Sequence, residues 1–105
     1  MVDIACLEKN ASSAVCLLKS LANESRLKIL CVLNVDGEKN VGELERIVGL
    51  SQSALSQHLA RMRKEGLVKT RRNAQTIYYS CDHSHIKVVL DTLCTLYRTA
   101  DEGAS

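Results

Sequence analysis

Residues 40–66 constrain the fold more than any other stretch, because they spell two short helices with almost no chain between them. Asn40-Val41-Gly42-Glu43 has the pattern of a capping box, in which Glu43 reaches back to the Asn40 amide. Leu44, Ile47 and Val48 then give a short amphipathic helix that stops at Gly49. Ser51 caps the next helix, so only Gly49 and Leu50 separate the two. Two helices joined this tightly make a helix-turn-helix, whose second member can enter a DNA major groove.

The outer face of that second helix points the same way. At about 100° per residue, Ala54, Leu55, Leu59 and Met62 gather on one side. Ser53, Ser56, Gln57, Ala60 and Lys64 gather on the other. A solvated helix face is usually built from Glu and Lys. Ser and Gln can instead donate to and accept from base edges, and the small Ala60 permits close approach. Ser53, Ser56 and Gln57 are therefore the candidate base readers, flanked by Gln52, Arg61 and Lys64.

Gly66 ends the helix. Leu67-Val68-Lys69-Thr70 and Thr76-Ile77-Tyr78-Tyr79 then read as β-strands. Arg72-Asn73-Ala74-Gln75 is the predicted turn between them, with Asn73 the residue best suited to a positive φ. Arg71 and Arg72 are expected at the hairpin tip, and with Gln75 they would meet phosphate or the minor groove. The expected fold is mainly α with a small β-hairpin, a winged helix-turn-helix of order α-α-α-α-β-β-α.

Composition bounds the rest. The 105 residues hold one small domain, expected to span residues 1–105. A net charge of +2 excludes a globally basic nucleic-acid coat, yet Arg61, Arg63, Lys64, Lys69, Arg71 and Arg72 crowd into one short stretch. Phosphate attraction there would make binding depend on salt. No apolar run reaches membrane-spanning length, and Met1-Val2-Asp3-Ile4 lacks the basic start of a signal peptide, so a cytoplasmic location is expected. Residues 1–8 and 100–105 are expected to fray.

The two ends carry wide apolar stripes. On the first helix these are Ala11, Ala14, Val15, Leu17, Leu18 and Leu21. The last helix, from about Ser84, carries Ile86, Val89, Leu90, Leu93, Leu96 and Tyr97, widened by Val88 and Cys94. Such width exceeds what one small monomer can cover, which predicts a homodimer through the terminal helices. A two-fold axis there would present two recognition helices to a palindromic operator.

Three segments together resemble the ArsR/SmtB family of small dimeric winged-helix repressors. They are LLKSLANESRLKILCVL (17–33), VGELERIVGLSQSALSQHLARMRKEGLV (41–68) and RRNAQTIYYS (71–80). The resemblance covers roughly residues 10–98. LSQSALSQHL and AQTIYYS are similar to the branch that contains HlyU, BigR and NolR. The resemblance implies DNA-binding repressors or antirepressors, several of which sense reactive sulfur through cysteines.

Five cysteines, at positions 6, 16, 31, 81 and 94, contain no Cys-x-x-Cys pair, which excludes a zinc ribbon and a secreted disulfide framework. Cys6 and Cys16 read as small packed hydrophobes, and Cys81 offers no stronger case. Cys31 stands where sulfur-sensing relatives carry one of two reactive cysteines, and Arg26 and Lys28 are the basic residues near it in sequence. Their second cysteine follows the Leu-Tyr of the last helix, where Arg98 stands here. Cys94, one helical turn earlier, is the candidate replacement.

Metal-sensing relatives use a Cys-x-Cys where this chain has Val41-Gly42-Glu43-Leu44, so that site is absent. A second family site begins near Asp82, His83 and His85, but its later His-x-x-Glu is also missing. His83 and His85 with Cys94 could still ligate zinc or copper, although capping and solvation account for these polar residues equally well. His58 flanks the inward side of the recognition helix and is expected to pack there. No nucleophile–base pair, phosphate-binding glycine loop or paired carboxylate supports an enzyme, and no cofactor is implied. Four readings stay open: a thiol-switched repressor, a constitutive one, a metal-responsive one, and a protein-binding module that no longer holds DNA.

Overall fold

Local capping explains where most helices start and stop. The computed structural model describes residues 3–104, with side chains through Arg98. Helix α1 (Ile4–Leu21) begins at Asp3, whose side chain accepts from the Cys6 amide at 3.3 Å. The expected fraying is therefore corrected for residues 4–8, and also for 100–104, which continue the last helix, while Met1, Val2 and Ser105 lie outside the described residues. Helix α2 (Glu24–Val35) follows after Asn23, which accepts from the Arg26 amide. The Asn40 capping box is complete, with bonds of 2.9 and 3.1 Å, and opens α3 (Val41–Val48). Gly49 takes φ 78° and ends that helix, a conformation that a side chain would strain. Ser51 then caps α4 (Gln52–Lys64) through the Ala54 amide at 3.2 Å.

The sheet differs from the expected simple hairpin. Strands β2 (Lys69–Asn73) and β3 (Thr76–Ser80) pair antiparallel, and β1 (Lys39–Asn40) adds to the far edge of β3, giving the order β1-β3-β2. The element order is thus α-α-β-α-α-β-β-α, closed by α5 (Ser84–Ala104). Leu67 and Val68 are buried connections ahead of the strand rather than part of it. The ladder runs outward as far as Asn73 opposite Thr76, which leaves Ala74 and Gln75 as the tip. The left-handed residue is accordingly Ala74, at φ 57°, and not Asn73. Arg71 and Arg72 stand opposite Tyr78 and Ile77, on the strand and back from the tip.

Residues from every helix meet in one core. Ile29 and Leu30 of α2, Leu44 of α3, Leu55, Leu59 and Met62 of α4, and Ile86 of α5 are all less than 2% exposed. This core locks the two helices of the helix-turn-helix against α2 and fixes which side of α4 faces outward. The terminal helices are packed differently. Leu21 is the buried residue of α1, and Ile4, Leu7, Val15, Leu18, Val88, Leu96 and Tyr97 remain exposed.

Candidate nucleic-acid interface

Because Leu55, Leu59 and Met62 are sealed in the core, the opposite side of α4 must face out. Gln52, Ser53, Ser56, Gln57, Ala60, Arg61 and Lys64 are all exposed there. A mid-helix serine often bonds back to the carbonyl one turn earlier. Ser53 and Ser56 do not, and neither Gln52 nor Gln57 spends its amide on another side chain among the described residues. These donors and acceptors are therefore available to a ligand. Arg61, Arg63 and Lys64 fill the last turn of α4, where they also complement the negative end of the helix dipole. His58 is half-buried beside them, as expected from its inward flank.

The wing carries its charge less freely than the sequence suggests. Arg71 makes a two-pronged ion pair with Glu38, Nη2 to Oε1 at 2.7 Å and Nε to Oε2 at 3.0 Å. Its guanidinium also lies over the Tyr78 ring, 4.8 Å from the centroid. The hydrogen-bonded Arg71 fork holds the Glu38 carboxyl below the usual carboxylate range. Lys69 pairs with Asp82 at 3.0 Å. Arg72 makes no ion pair among the described residues; its Nε donates to the Ala74 carbonyl at 3.1 Å, which folds it over the tip beside exposed Gln75. Glu38 and Asp82 are the site residues that sequence reasoning missed. Glu38 lies thirty-three positions from Arg71, so no local pattern could join them.

The cysteines and histidines separate into two places. Cys31 of α2 is half-buried, and burial pushes its thiol up from the ordinary value, with a smaller electrostatic contribution from Cys94 of α5. Arg26 does not activate Cys31. It is buried, and its Nη1 donates to the Ser20 carbonyl at 3.3 Å and to Glu65, the C-cap of α4, at 3.5 Å. Lys28 pairs with Glu24 at 3.3 Å, one turn away. Cys81 is buried in the core. Cys6 and Cys16 are exposed, against their expected packing, because α1 buries so little of itself in this chain.

His83 and His85 border an open cleft of about 1170 Å³ between α1 and the end of α4, together with Ser20, Arg26, Arg61 and Glu65. Their rings meet edge-on at 5.4 Å, and His83 Nδ1 is shut from solvent with no partner among the described residues. His83, His85 and Cys94 were the weak metal candidates of the sequence. No three metal-ligating side chains converge among the described residues. Cys94 is nine residues along α5 from His85, about 14 Å of helical rise.

With this geometry in view, the comparisons with known proteins are specific. Residues 23–70 match the profile of the bacterial regulatory proteins of the arsR family. Over 96 residues, 91% of this chain and 88% of the relative, the sequence is 51% identical to the transcriptional activator HlyU of Vibrio cholerae. The chain belongs to the ArsR family. It is 48% identical to the nodulation protein NolR of Rhizobium meliloti, covering 85% of this chain and 72% of that protein. The crystal structure of the transcriptional repressor BigR from Xylella fastidiosa matches with a TM-score of 0.86 over 91% of this chain and 97% of that one, at 38% identity. The family and these relatives are DNA-binding transcriptional regulators and not enzymes. The fold is the winged helix of such regulators.

Proposed function

We propose that this chain is a sequence-specific DNA-binding transcriptional regulator, acting as a repressor. The observation that carries this reading is the outward face of α4: Ser53, Ser56 and Gln57 stand free on a rigid helix whose other side is fully buried. They read base edges, with Gln52, Arg61 and Lys64 beside them. Arg72 and Gln75 bring the wing to the phosphate backbone or the minor groove, while Arg71 on the same strand is paired with Glu38. The chain acts as one domain over residues 1–105, and two copies meet through α1 and α5 on a palindromic operator. Exposed Leu18, Leu96 and Tyr97 support that pairing. No described helix is long and apolar enough to cross a membrane, which accords with work in the cytoplasm. The test is a gel shift on a duplex selected by the protein from a random pool, against its scrambled version, over a range of salt. Preference for the selected duplex supports the reading; equal binding of both would defeat it.

A thiol switch at Cys31 and Cys94 is the control this reading assigns to the regulator, supported by the electrostatic influence of Cys94 on the half-buried Cys31 thiol. The thiolate of Cys31 would take the outer sulfur of an organic persulfide and release the organic thiol, and Cys94 would then attack the Cys31 sulfur and release sulfide, leaving a disulfide between α2 and α5. Movement of α5 would then respace the two recognition helices and weaken DNA binding. Operator affinity of wild type and Cys31→Ser, each before and after an organic persulfide, tests it. Loss in the wild type alone supports the switch, and an equal response in both points to a constitutive repressor or another inducer.

A further inference from the structure

The wing holds an ion pair that the DNA-binding reading does not use. Arg71 lies directly opposite Tyr78 on β3, and Tyr78 lies opposite Asn40 on β1. Glu38, two residues before Asn40, reaches the same guanidinium across the face of the sheet. The contact joins the loop before β1 to β2, over the Tyr78 ring. Two groups hold Arg71 at once, the doubly hydrogen-bonded Glu38 carboxylate and the face of the Tyr78 ring.

Such a grip has a consequence for a duplex. A guanidinium binds phosphate best through a fork of two parallel N–H groups. In Arg71, the Nε and Nη2 fork already faces a carboxylate, and the Glu38 charge cancels its attraction for phosphate. Arg72, one residue on, carries no such acid partner among the described residues. Neighbouring arginines on one strand are therefore placed in different states.

We propose that Glu38 is a positioning and specificity-determining residue of the DNA interface, latching Arg71 to the wing so that it does not add indiscriminate phosphate affinity. The inference rests on the DNA-binding reading above. Its logic is that sequence-independent affinity comes from unpaired cations, so a carboxylate that occupies one of them raises the ratio of specific to nonspecific binding. Tyr78 gives the latched guanidinium a surface to lie on, so that the wing keeps one shape on and off the duplex.

The experiment compares wild type, Glu38→Gln, Arg71→Ala and the double variant on two probes, a random-sequence duplex and a duplex selected by the wild type. Affinities are taken across salt, with thermal unfolding as the control for folding. Glu38→Gln keeps the side-chain shape and releases Arg71. It should tighten random-duplex binding about fivefold near 0.15 M salt and steepen the log–log salt slope by about 0.9, the value of one phosphate contact. Selected-duplex binding should tighten less, so specificity falls. In the Arg71→Ala background, Glu38→Gln should change little.

Unchanged or weaker random-duplex binding by Glu38→Gln would overturn the latch. So would an equal gain with and without Arg71, because that would be the general effect of removing one negative charge. A wild type that binds neither duplex would sink the DNA-binding reading itself, and the latch with it.

Discussion

The winged-helix core and the terminal helices handle their leucines in opposite ways. Leu44, Leu55 and Leu59 are 0–1% exposed, whereas Leu18 and Leu96 are 60% and 59% exposed. One chain supplies everything the core needs. Helices α1 and α5 anchor themselves through Leu21, Ile86 and Leu90, with Leu17 and Val89 packed beside them, and leave Leu18, Val88, Leu96 and Tyr97 exposed. Folding of the reading head and placement of that head on DNA are thus assigned to different residues, which single substitutions can separate.

The largest effects should come from setting the two layers against each other. Leu44→Ala opens a cavity in a site with no exposure and should cost about 2–5 kcal/mol in denaturant unfolding. Leu18→Glu puts a charge on a face that only a second copy would desolvate. It should weaken the dimer by about 3–5 kcal/mol while costing a dilute single chain far less. Light scattering at micromolar concentration checks the premise, because a wild-type mass of 11.6 kDa would mean that no second copy covers α1 and α5. An unfolding cost for Leu18→Glu equal to that of Leu44→Ala, with the wild type held monomeric by dilution, would erase the distinction between the layers.

The contrast was partly visible before any coordinates. Asn40, Gly49, Ser51 and Gly66 act on their immediate neighbours, and the helix faces follow from spacing alone, so α3, α4 and the face of α4 that looks outward could be read directly. Asp3 was also a local signal, and the expectation that residues 1–8 fray left it unread. The errors lie where distant residues decide. Strand β1 has two residues, too few for any period to show, and forms only because β3 has an open edge beside it. Asn73 is the better left-handed residue by propensity, yet the β2–β3 register carried it into the ladder and passed the strain to Ala74. Glu38 and Arg71 were both plain in the sequence, and their contact was not, since the sheet order creates it. The candidate site was legible on the helix and misjudged on the wing for that reason.

On the reading head, Gln57→Ala should weaken binding to a selected duplex by roughly 1–3 kcal/mol and leave scrambled-duplex affinity nearly unchanged. Gln57 has no internal bond to lose, so stability should not move. Equal binding of the selected duplex by variant and wild type would mean that the register of α4 in the groove is misassigned. Arg72→Ala should act on both duplexes alike, by about fivefold near 0.15 M salt, and make the salt slope shallower by about 0.9. A loss confined to the selected duplex would instead place Arg72 on base edges.

The smallest effect lies at the seam between the two regions, at half-buried Cys31 of α2, whose thiol feels Cys94 of α5. Burial is the larger cause of the raised Cys31 thiol and Cys94 the smaller. A raised value keeps the proton on sulfur at neutral pH, and the thiolate is the form that reacts. Cys31 should therefore alkylate more slowly in the folded protein than in denaturant, and its rate should climb at more alkaline pH. The same shift favours the fold below the ordinary thiol value, and that contribution is lost as pH rises through the folded one. Cys94→Ser removes only the lesser cause, so it should quicken Cys31 alkylation modestly. If Cys31 reacted as fast folded as unfolded, its thiol would belong to the open outer layer and would not pack against the core as the structure places it.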